Sequence, residues 1–248
     1  MVKNRDQIYR TEQTELNKFV FDENVAAVFH DMISRSVPGY SQILQLLPSL
    51  VKQFQHIEGN YYDLGCSIGA GMLALAEGLS KTSDKNKRNI IGIDSSTAML
   101  SEAKSLFSKT DLSNYNFQFI TADINDTEVN NAAIALMNFT LQFIDLDKRN
   151  SLIQSLYNNL TDGGALIISE KIKFDDALTD KTFIDIHHQY KASQGYSQLE
   201  ISQKRDAIEN VLIPETLDTH IDRLTDAGFK VVTPWIQNLQ FISILAIK

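Results

Sequence analysis

The sequence has 248 residues, of which 43% are hydrophobic and 22% are charged, and its formal net charge is −8 at pH 7. That length suits one sizeable hydrophobic core, so we expect a single domain over residues 1–248. Eleven Gly and four Pro exclude a fibrous or low-complexity chain. The acidic balance also lacks the basic footprint that is typical of proteins that bind nucleic acid directly.

The cysteine content and the first residues indicate the compartment. Cys66 is the single cysteine, so no disulfide forms within the chain, which is typical of a reducing compartment. The first residues, MVKNRDQIYRTEQ, lack the apolar stretch of a signal peptide. No apolar run approaches the ~20 residues that a bilayer crossing needs. We therefore expect a cytoplasmic protein without a membrane anchor.

The first part of the chain, residues 1–55, reads as a helical preface without a clear strand. Residues 21–33, FDENVAAVFHDMI, place apolar side chains at helical spacing. A second helix is expected over residues 40–54, YSQILQLLPSLVKQF, in which Pro48 predicts a kink or a break.

Strands and helices then alternate, which predicts an α/β fold with a mostly parallel sheet covered by helices on both faces. Strands are predicted at residues 60–65, 89–94, 116–124, 132–140 and 165–172, and helices at residues 70–80, 96–109 and 147–160. Ser96 is a plausible N-cap for the second of these helices.

The polar helical residues 174–213 interrupt the alternation and read as an inserted cap. A helix over 214–229 follows, and Gly228 is expected to end it in the left-handed conformation. Residues 230–237 and 239–248 read as two closing strands, expected to pair antiparallel, so the sheet should have seven strands.

Residues 63–71, DLGCSIGAG, admit two interpretations. They contain G-x-S-x-G, the pattern of a nucleophile elbow, with Ser67 as an acylating serine. An elbow normally follows several strands, however, and here the preceding strand is the first in the chain. The alternative is a glycine-rich loop that holds a nucleoside ligand beside the first strand.

The second interpretation accounts for more of the chain. Asp63, Asp94, Asp123 and Asn138 are each expected at the end of a strand, at the edge where open α/β sheets bind ligands. Each one alone could simply cap a helix, but the ordered set favours a binding site. The spacing D-x-G-x-S-x-G lacks the third glycine of a dinucleotide site and resembles the first motif of class I S-adenosylmethionine (SAM) enzymes, whose ligand has no phosphate.

The chain resembles the carboxy-S-adenosyl-L-methionine (carboxy-SAM) synthase family over almost its whole length. The resemblance is carried by the stretches FDENVAAVF, DMISRSVPGYSQI, YDLGCSIGA, IGIDSS, NFTLQF, GGALIISEK, HHQYKASQGYS, LEISQKR and ENVL. The chain departs most at its extreme N-terminus and at residues 81–88, which look like a longer basic loop.

The resemblance implies a Rossmann-like class I SAM-methyltransferase fold and a specific reaction. Enzymes of this family convert SAM and prephenate into carboxy-SAM and phenylpyruvate, with no metal. The product then serves a separate tRNA carboxymethyltransferase that modifies wobble uridine. The family is generally homodimeric, and direct contact with nucleic acid is not expected.

The resemblance also implies the binding residues. The positions that match family motifs are Tyr40, Gly65, Cys66, Ser67, Asp94, Ser95, Asp123, Ile124, Asn138 and Arg205. Asp94 and Ser95 are expected at the ribose, Asp123 and Ile124 at the adenine. Arg205 is expected at the transferred carboxylate.

The Arg205 assignment has a physical rationale, because a guanidinium grips a carboxylate with two parallel hydrogen bonds. Without the resemblance, Arg205 would read as a solvated surface cation. Arg35 and Tyr196 are secondary candidates for prephenate contacts. Adjacent helical residues do not face the same way, so His187 and His188 do not read as a metal or base pair.

Three alternatives stay open. An ordinary SAM-dependent methyltransferase shares every motif of the sheet but has no need of Arg205. A non-catalytic SAM-binding protein would bind without turnover. A tRNA-binding enzyme is weaker still, although the basic residues 81–88 could offset the overall acidity.

Overall fold

The computed structural model describes residues 5–13, 17–79 and 88–248. Within these ranges, seven strands form one sheet in the order β3-β2-β1-β4-β5-β7-β6. Strands β1 to β5 pair in parallel, and β7 pairs antiparallel with both β5 and β6. The predicted seven-stranded, mostly parallel sheet is therefore confirmed, as is the antiparallel closing pair.

The elements follow the predicted alternation closely. The strands are β1 Asn60–Leu64, β2 Arg88–Asp94, β3 Tyr115–Thr121, β4 Ala132–Asn138, β5 Leu160–Lys171, β6 Val231–Asn238 and β7 Phe241–Ile247. The helices are α1 Glu23–Ser36, α2 Tyr40–Phe54, α3 Ala70–Gly78, α4 Thr97–Phe107, α5 Leu146–Asn159, α6 Ala177–Ser193, α7 Gln198–Ile208 and α8 Leu217–Ala227, with a 3-10 turn at Leu141–Phe143. The predicted basic loop lies outside the described residues, apart from Arg88 at the start of β2.

Helix ends form where the side chains predict them. The Ser96 hydroxyl accepts a hydrogen bond from the Met99 amide and caps α4. Gly228 ends α8 at φ 110°, as expected. Of the kink or break expected at Pro48, the break is wrong, because α2 continues through this residue. Leu47 and Val51 on either side are fully buried, and that packing outweighs the lost amide hydrogen bond.

The core lies on both faces of the sheet. Neighbouring residues in a strand point to opposite faces, and Tyr61 and Tyr62 of β1 belong to two different buried clusters. Strand β4 is buried along its length except at Asn138, as befits a central strand covered on both sides. Asn138 therefore stands at the carboxyl end of β4, where the strands of the sheet end.

The strand order reverses at β1, which lies between β2 and β4. Crevices in open α/β sheets form at such a reversal, outside the carboxyl ends of the strands. Helix α1 packs at this edge, where Phe29 and Met32 share a buried cluster with Ile68 of the glycine loop and Ala207 of α7. Helix α1, which precedes the sheet, and helix α7, which lies between β5 and β6 in the chain, therefore close over one crevice.

A buried arginine fixes the part of the crevice that follows β4. Arg149 of α5 has no exposed surface and forms an ion pair with Glu215. Its guanidinium also donates to the backbone oxygens of Ile144 at 2.9 Å, Gln142 at 3.2 Å and Ile213 at 3.0 Å. One side chain thus joins the turn after β4 to the chain that leaves α7.

None of the helices in the described ranges has the length and apolar character that a bilayer crossing requires.

We expect Arg149→Met to lower the free energy of unfolding by about 3–5 kcal/mol, because three carbonyl groups lose a buried donor and Glu215 keeps only Arg223 as its ion-pair partner among the described residues. Arg149→Lys should not restore stability, since an ammonium cannot reproduce the planar fork. Urea unfolding followed by circular dichroism measures both. Lys181→Met, which removes an exposed ion pair, is the control and should cost under about 0.5 kcal/mol. A loss for Arg149→Met no larger than the control's would contradict this account.

Candidate active site

A cavity of about 380 Å³ opens at the carboxyl ends of β1, β2 and β4. It collects nearly all the predicted binding residues, namely Tyr40, Gly65, Cys66, Ser67, Asp94, Ser95, Asp123, Ile124 and Asn138. These residues are distant in the sequence, and the sheet brings them to one edge.

The glycine loop follows β1 and requires glycine at its first position. Gly65 has φ +77°, and a Cβ there would lie 2.5 Å from the Thr140 side chain. The amides of Gly65 and Cys66 donate to the Ile93 carbonyl at 2.8 and 3.0 Å, which ties the loop to β2. Backbone conformation and close approach therefore both exclude a side chain at this position.

Ser67 anchors the loop rather than acting as a nucleophile. Its amide donates to Asp94 Oδ2 at 2.8 Å, and its hydroxyl lies 3.5 Å from Met99 Sδ. His187 lines the same cavity, but its Nε2 is 2.7 Å from the Ser36 carbonyl. Ser67 thus lacks a base within hydrogen-bond reach, and the geometry gives no support to the nucleophile-elbow interpretation.

Asp94, the last residue of β2, is held by the backbone on both oxygens. Oδ2 accepts from the Ser67 amide and Oδ1 from the Ser96 amide, each at 2.8 Å. Burial raises the pKa of this carboxyl, and the two amides oppose the rise. The carboxylate is therefore fixed in place and still has lone pairs for hydroxyl donors of a ligand.

Asp63 is a buried carboxylate with a vacant acceptor. Burial, followed by repulsion from Asp94, raises its pKa to about 7. Among the described residues, its Oδ2 finds no hydrogen-bond partner, and neither does the buried Oδ1 of Asn138. Both residues line the cavity. Unpartnered buried acceptors are rare in proteins, and these two fit a ligand that brings hydrogen-bond donors.

Asp123 and Ile124 lie after β3, whereas the sequence predicted them at its end. Asp123 does not end β3, which stops at Thr121, where its register with Asp94 ends. Its Oδ1 accepts from the amide and side chain of Asn125, both at 2.8 Å. The turn still carries Asp123 and Ile124 to the cavity wall.

Tyr40 closes another side of the cavity. Gly39 precedes it at φ 82° and starts α2. The Tyr40 ring is buried and lies 6.3 Å from the Phe139 ring. Burial raises the pKa of Tyr40, so its phenol stays neutral and remains a hydrogen-bond donor at physiological pH.

Arg205 does not line this cavity in the single chain. Its side chain is 54% exposed and binds the neighbouring Asp206, with Nε 2.9 Å and Nη2 2.8 Å from Oδ1. Arg35 and Tyr196, the secondary candidates, are also not brought to the cavity. The Arg35 guanidinium lies 3.9 Å above the Tyr196 ring, and the Tyr196 hydroxyl donates to Asp6 at 2.6 Å.

His187 and Cys66, whose side chains could in principle act as a base and a nucleophile, are both buried and uncharged. Burial lowers the pKa of His187 to about 2 and raises the pKa of the Cys66 thiol. A Cβ on Gly92 would lie 2.8 Å from Cys66 Sγ, so the thiol packs tightly against β2. Among residues 5–13, 17–79 and 88–248, no cluster of three His, Cys, Asp or Glu side chains could hold a metal ion.

Sequence reasoning missed four lysines of the cavity, namely Lys148, which forms an ion pair with Asp145, and Lys171, Lys191 and Lys204. Lys171 ends β5, so the strand-end rule that found Asp94 could have found it. Lys191 and Lys204 lie on α6 and α7, whose placement over the sheet edge no periodicity predicts.

Comparisons with known proteins agree with this geometry. A family model described as a methyltransferase domain matches residues 62–164, which span β1 to the early part of β5. The carboxy-SAM synthase of Hahella chejuensis is 44% identical over 249 aligned residues, covering 100% of both chains. That of Pseudoalteromonas translucida is 43% identical and covers 98% of this chain and 99% of its own.

The chain belongs to the carboxy-S-adenosyl-L-methionine synthase family. Solved structures show the same class I fold. Magnesium protoporphyrin IX methyltransferase from Synechocystis, with bound SAM, has a TM-score of 0.56 at 14% identity, covering 85% of this chain and 80% of its own. Human N-acetylserotonin methyltransferase in complex with SAM has a TM-score of 0.58 at 14% identity, covering 91% of this chain and 55% of its own.

The cavity of this family member suits a nucleoside that carries an ammonium and a sulfonium. Asp63 and Asn138 offer vacant acceptors, and Asp94 offers a fixed carboxylate. Oppositely charged groups within a few ångströms attract strongly where water is excluded. The acidic wall therefore matches a cation that is rich in donors.

We expect Asp63→Asn to weaken SAM binding and to change how stability depends on pH. Because the folded pKa of Asp63 is raised from 3.8 to about 7, its burial lowers the free energy of unfolding as pH rises across that interval. The variant should be relatively more stable at pH 7.5 than at pH 4, by roughly 2–4 kcal/mol compared with wild type.

Thermal unfolding of the ligand-free proteins from pH 4 to 8 and calorimetric titration with SAM measure the two effects. Asp126→Asn, a change outside the cavity lining, is the matched control. Equal pH slopes for Asp63→Asn and wild type would refute the raised pKa, and unchanged SAM affinity would refute the binding role.

Proposed function

We propose that the chain converts SAM and prephenate into carboxy-SAM, phenylpyruvate and water. The observation that carries this proposal is the convergence of family-matched residues on one cavity. They lie in a chain that is 44% identical over its full length to a carboxy-SAM synthase. SAM is a substrate of this reaction, and its methyl group becomes the carboxymethyl group of the product.

Each wall of the cavity receives one part of SAM. The glycine loop lies against the methionine portion, whose ammonium donates to the vacant oxygens of Asp63 and Asn138. Asp94, with Ser95 beside it, accepts the ribose hydroxyls. Asp123 and Ile124 receive the adenine, and Tyr40 contributes a neutral donor.

The reaction balances without a metal or an external oxidant. The bond between the prephenate ring and its carboxyl group breaks, and its electron pair enters the ring as CO₂ departs. The ring becomes aromatic as hydroxide leaves. That hydroxide takes a proton from the SAM methyl group and becomes water. The resulting sulfur ylide attacks the CO₂ and forms the carboxymethyl sulfonium.

The protein's task is to hold the reactants together and to keep CO₂ and the ylide away from bulk water. Much of the lining suits that task, because it is aromatic: Phe19, Phe21, Phe29, Phe139, Phe143 and Phe241. Such a wall forms no hydrogen bonds to CO₂ or water. The ylide therefore meets the CO₂ before solvent reprotonates it.

We assign Arg205 to the transferred carboxylate, delivered from a second copy of the chain in a homodimer. The side chain is half exposed and outside its own cavity, which supports a role across an interface. Helices α6 and α7 also expose apolar side chains, including Leu178 at 75% and Leu199 at 40%. Apolar side chains of this kind are suited to a dimer contact.

We place the protein in the cytoplasm, where it acts as one SAM-binding domain. Its product passes to a separate tRNA carboxymethyltransferase. The net charge of −8 supports release of the product rather than direct tRNA binding by this chain.

An ordinary SAM-dependent methyltransferase is the second candidate, favoured by the methyltransferase-domain match over residues 62–164. The two reactions leave different products. Methyl transfer yields S-adenosylhomocysteine, whereas the proposed reaction yields a nucleoside heavier than SAM by one CO₂.

We expect purified protein incubated with SAM and prephenate to form carboxy-SAM, identified by mass spectrometry, together with phenylpyruvate in equal amount. Arg205→Ala should lower carboxy-SAM formation by at least about tenfold, because a charge-assisted bidentate contact is lost. Arg10→Ala, which removes another exposed arginine, should leave the rate unchanged. S-adenosylhomocysteine without carboxy-SAM would favour the second candidate and contradict the proposal.

Co-expression of Arg205→Ala with Asp94→Asn tests whether Arg205 acts across a dimer. Each variant alone should be nearly inactive. Mixed dimers would contain one intact site, so the mixture should recover about a quarter of wild-type activity. No recovery, with mixed dimers demonstrated by two affinity tags, would place Arg205 in its own subunit's site.

A further inference from the structure

Four lysines line the same cavity. Lys148 forms an ion pair with Asp145, whereas the other three, which come from three different elements, form none among the described residues. Lys171 ends β5, Lys191 lies near the end of α6, and Lys204 lies on α7. Each is partly buried. The fold therefore brings three ammonium groups, far apart in sequence, to one side of a single pocket.

These lysines lack carboxylate partners. None takes part in the ion pairs found among the described residues. Lys204 Nζ donates to the Ser36 hydroxyl at 3.2 Å. Asp180 and Asp6 act on Lys171 and Lys204 from beyond ion-pair distance.

Burial lowers the pKa of all three lysines, and nearby cations lower it further for Lys191 and Lys204. Burial, then the charges of Lys204, Lys171 and Arg205, lowers the pKa of Lys191 to about 7. Burial lowers the pKa of Lys204 to about 8. Grouping unpaired cations in this way costs stability, and such a cost persists in proteins mainly where a ligand uses the site.

Apart from Lys148, which lies beside Asp145, the buried charges of the cavity are grouped with charges of their own sign. The charge that acts on Asp63 is that of the neighbouring Asp94, whereas the charges that act on Lys191 are those of other cations. A ligand with a positive charge therefore fits one wall, and an anion fits the other. SAM occupies the acidic wall in the proposed function, which leaves the lysines for the second substrate.

We propose that Lys171, Lys191 and Lys204 bind the side-chain carboxylate of prephenate, the one that phenylpyruvate keeps. This inference rests on the proposed function and deepens it by assigning the anchor of the second substrate.

The chemistry distinguishes the two carboxylates of prephenate. The ring carboxylate loses its charge as CO₂ forms, so an ammonium paired with it before the reaction would stabilise the ground state more than the transition state and slow the reaction. Arg205 meets this group only after its transfer, as the carboxylate of carboxy-SAM. The side-chain carboxylate keeps its charge throughout. Ion pairs to that group bind the substrate without raising the barrier, and the aromatic lining leaves the ring carboxylate poorly solvated, which favours its loss.

Kinetic constants of Lys191→Met and Lys204→Met test the assignment. Each variant should raise the KM for prephenate at least about tenfold, because one charge-assisted hydrogen bond is lost, while the dissociation constant for SAM changes less than about twofold. Lys181→Met, on the same helix as Lys191 but in an exposed ion pair with Asp185, should leave both constants unchanged.

Thermal unfolding separates a binding role from a structural one. Methionine fills a similar volume without an unpaired charge, so both variants should unfold at the wild-type temperature or above it. A lower unfolding temperature together with an unchanged KM for prephenate would mean that the lysines serve the fold, and the assignment would be wrong.

Inhibition by phenylpyruvate identifies the carboxylate, because this product keeps the side-chain group and lacks the ring group. It should compete with prephenate in the wild type, and its inhibition constant should rise in each lysine variant by about the same factor as KM. Unchanged inhibition with a raised KM would move the lysines to the ring carboxylate and overturn the proposal.

Carboxy-SAM formation by the wild type distinguishes a failure of the proposed function from a failure of the lysine assignment. If it forms no carboxy-SAM from prephenate, the proposed function fails and this assignment fails with it. If it forms carboxy-SAM and the lysine variants keep the wild-type KM, the lysine assignment alone is wrong.

Discussion

The cavity depends on one electrostatic constraint: two aspartates and three lysines line it without pairing with each other, in addition to Lys148 and Asp145, which do form an ion pair. Asp63 and Asp94 lie on one wall, and Lys171, Lys191 and Lys204 lie on another, with no ion pair between the two groups in the described part of the chain. Partly desolvated charges of this kind oppose folding until a ligand pairs with them. The cavity is thus prepared for one cationic and one anionic substrate together.

The fold maintains this separation because the two sets of charges stand on different parts of the structure. The acids follow β1 and β2, where the strand order reverses, and the Ser67 amide fixes Asp94 there. The lysines come from β5, α6 and α7. The buried Arg149 joins the turn after β4 to the chain after α7, which ties the segment that follows α7 to the carboxyl edge of the sheet.

Much of the acidic wall follows from sequence pattern, and most of the basic wall does not. A strand ends where its apolar run ends, so the alternation located Asp94 and Asn138 directly, and it missed the end of β3 by only a few residues. No such rule orients α6 and α7, whose contacts with the sheet edge depend on tertiary packing. The sequence therefore did not assign the lysines, and it could not predict that Arg205 is exposed outside its own cavity. Pro48 misled for the same reason, because burial of its neighbours decides the course of α2.

The most direct measurement is calorimetric titration of phenylpyruvate into the free protein and into the protein saturated with SAM. If the cavity holds a cation and an anion together, the nearby sulfonium should tighten phenylpyruvate binding by at least about tenfold. Binding that is weaker with SAM, or that SAM does not affect, would show that the two charged walls do not serve two substrates at once, and the account would be wrong.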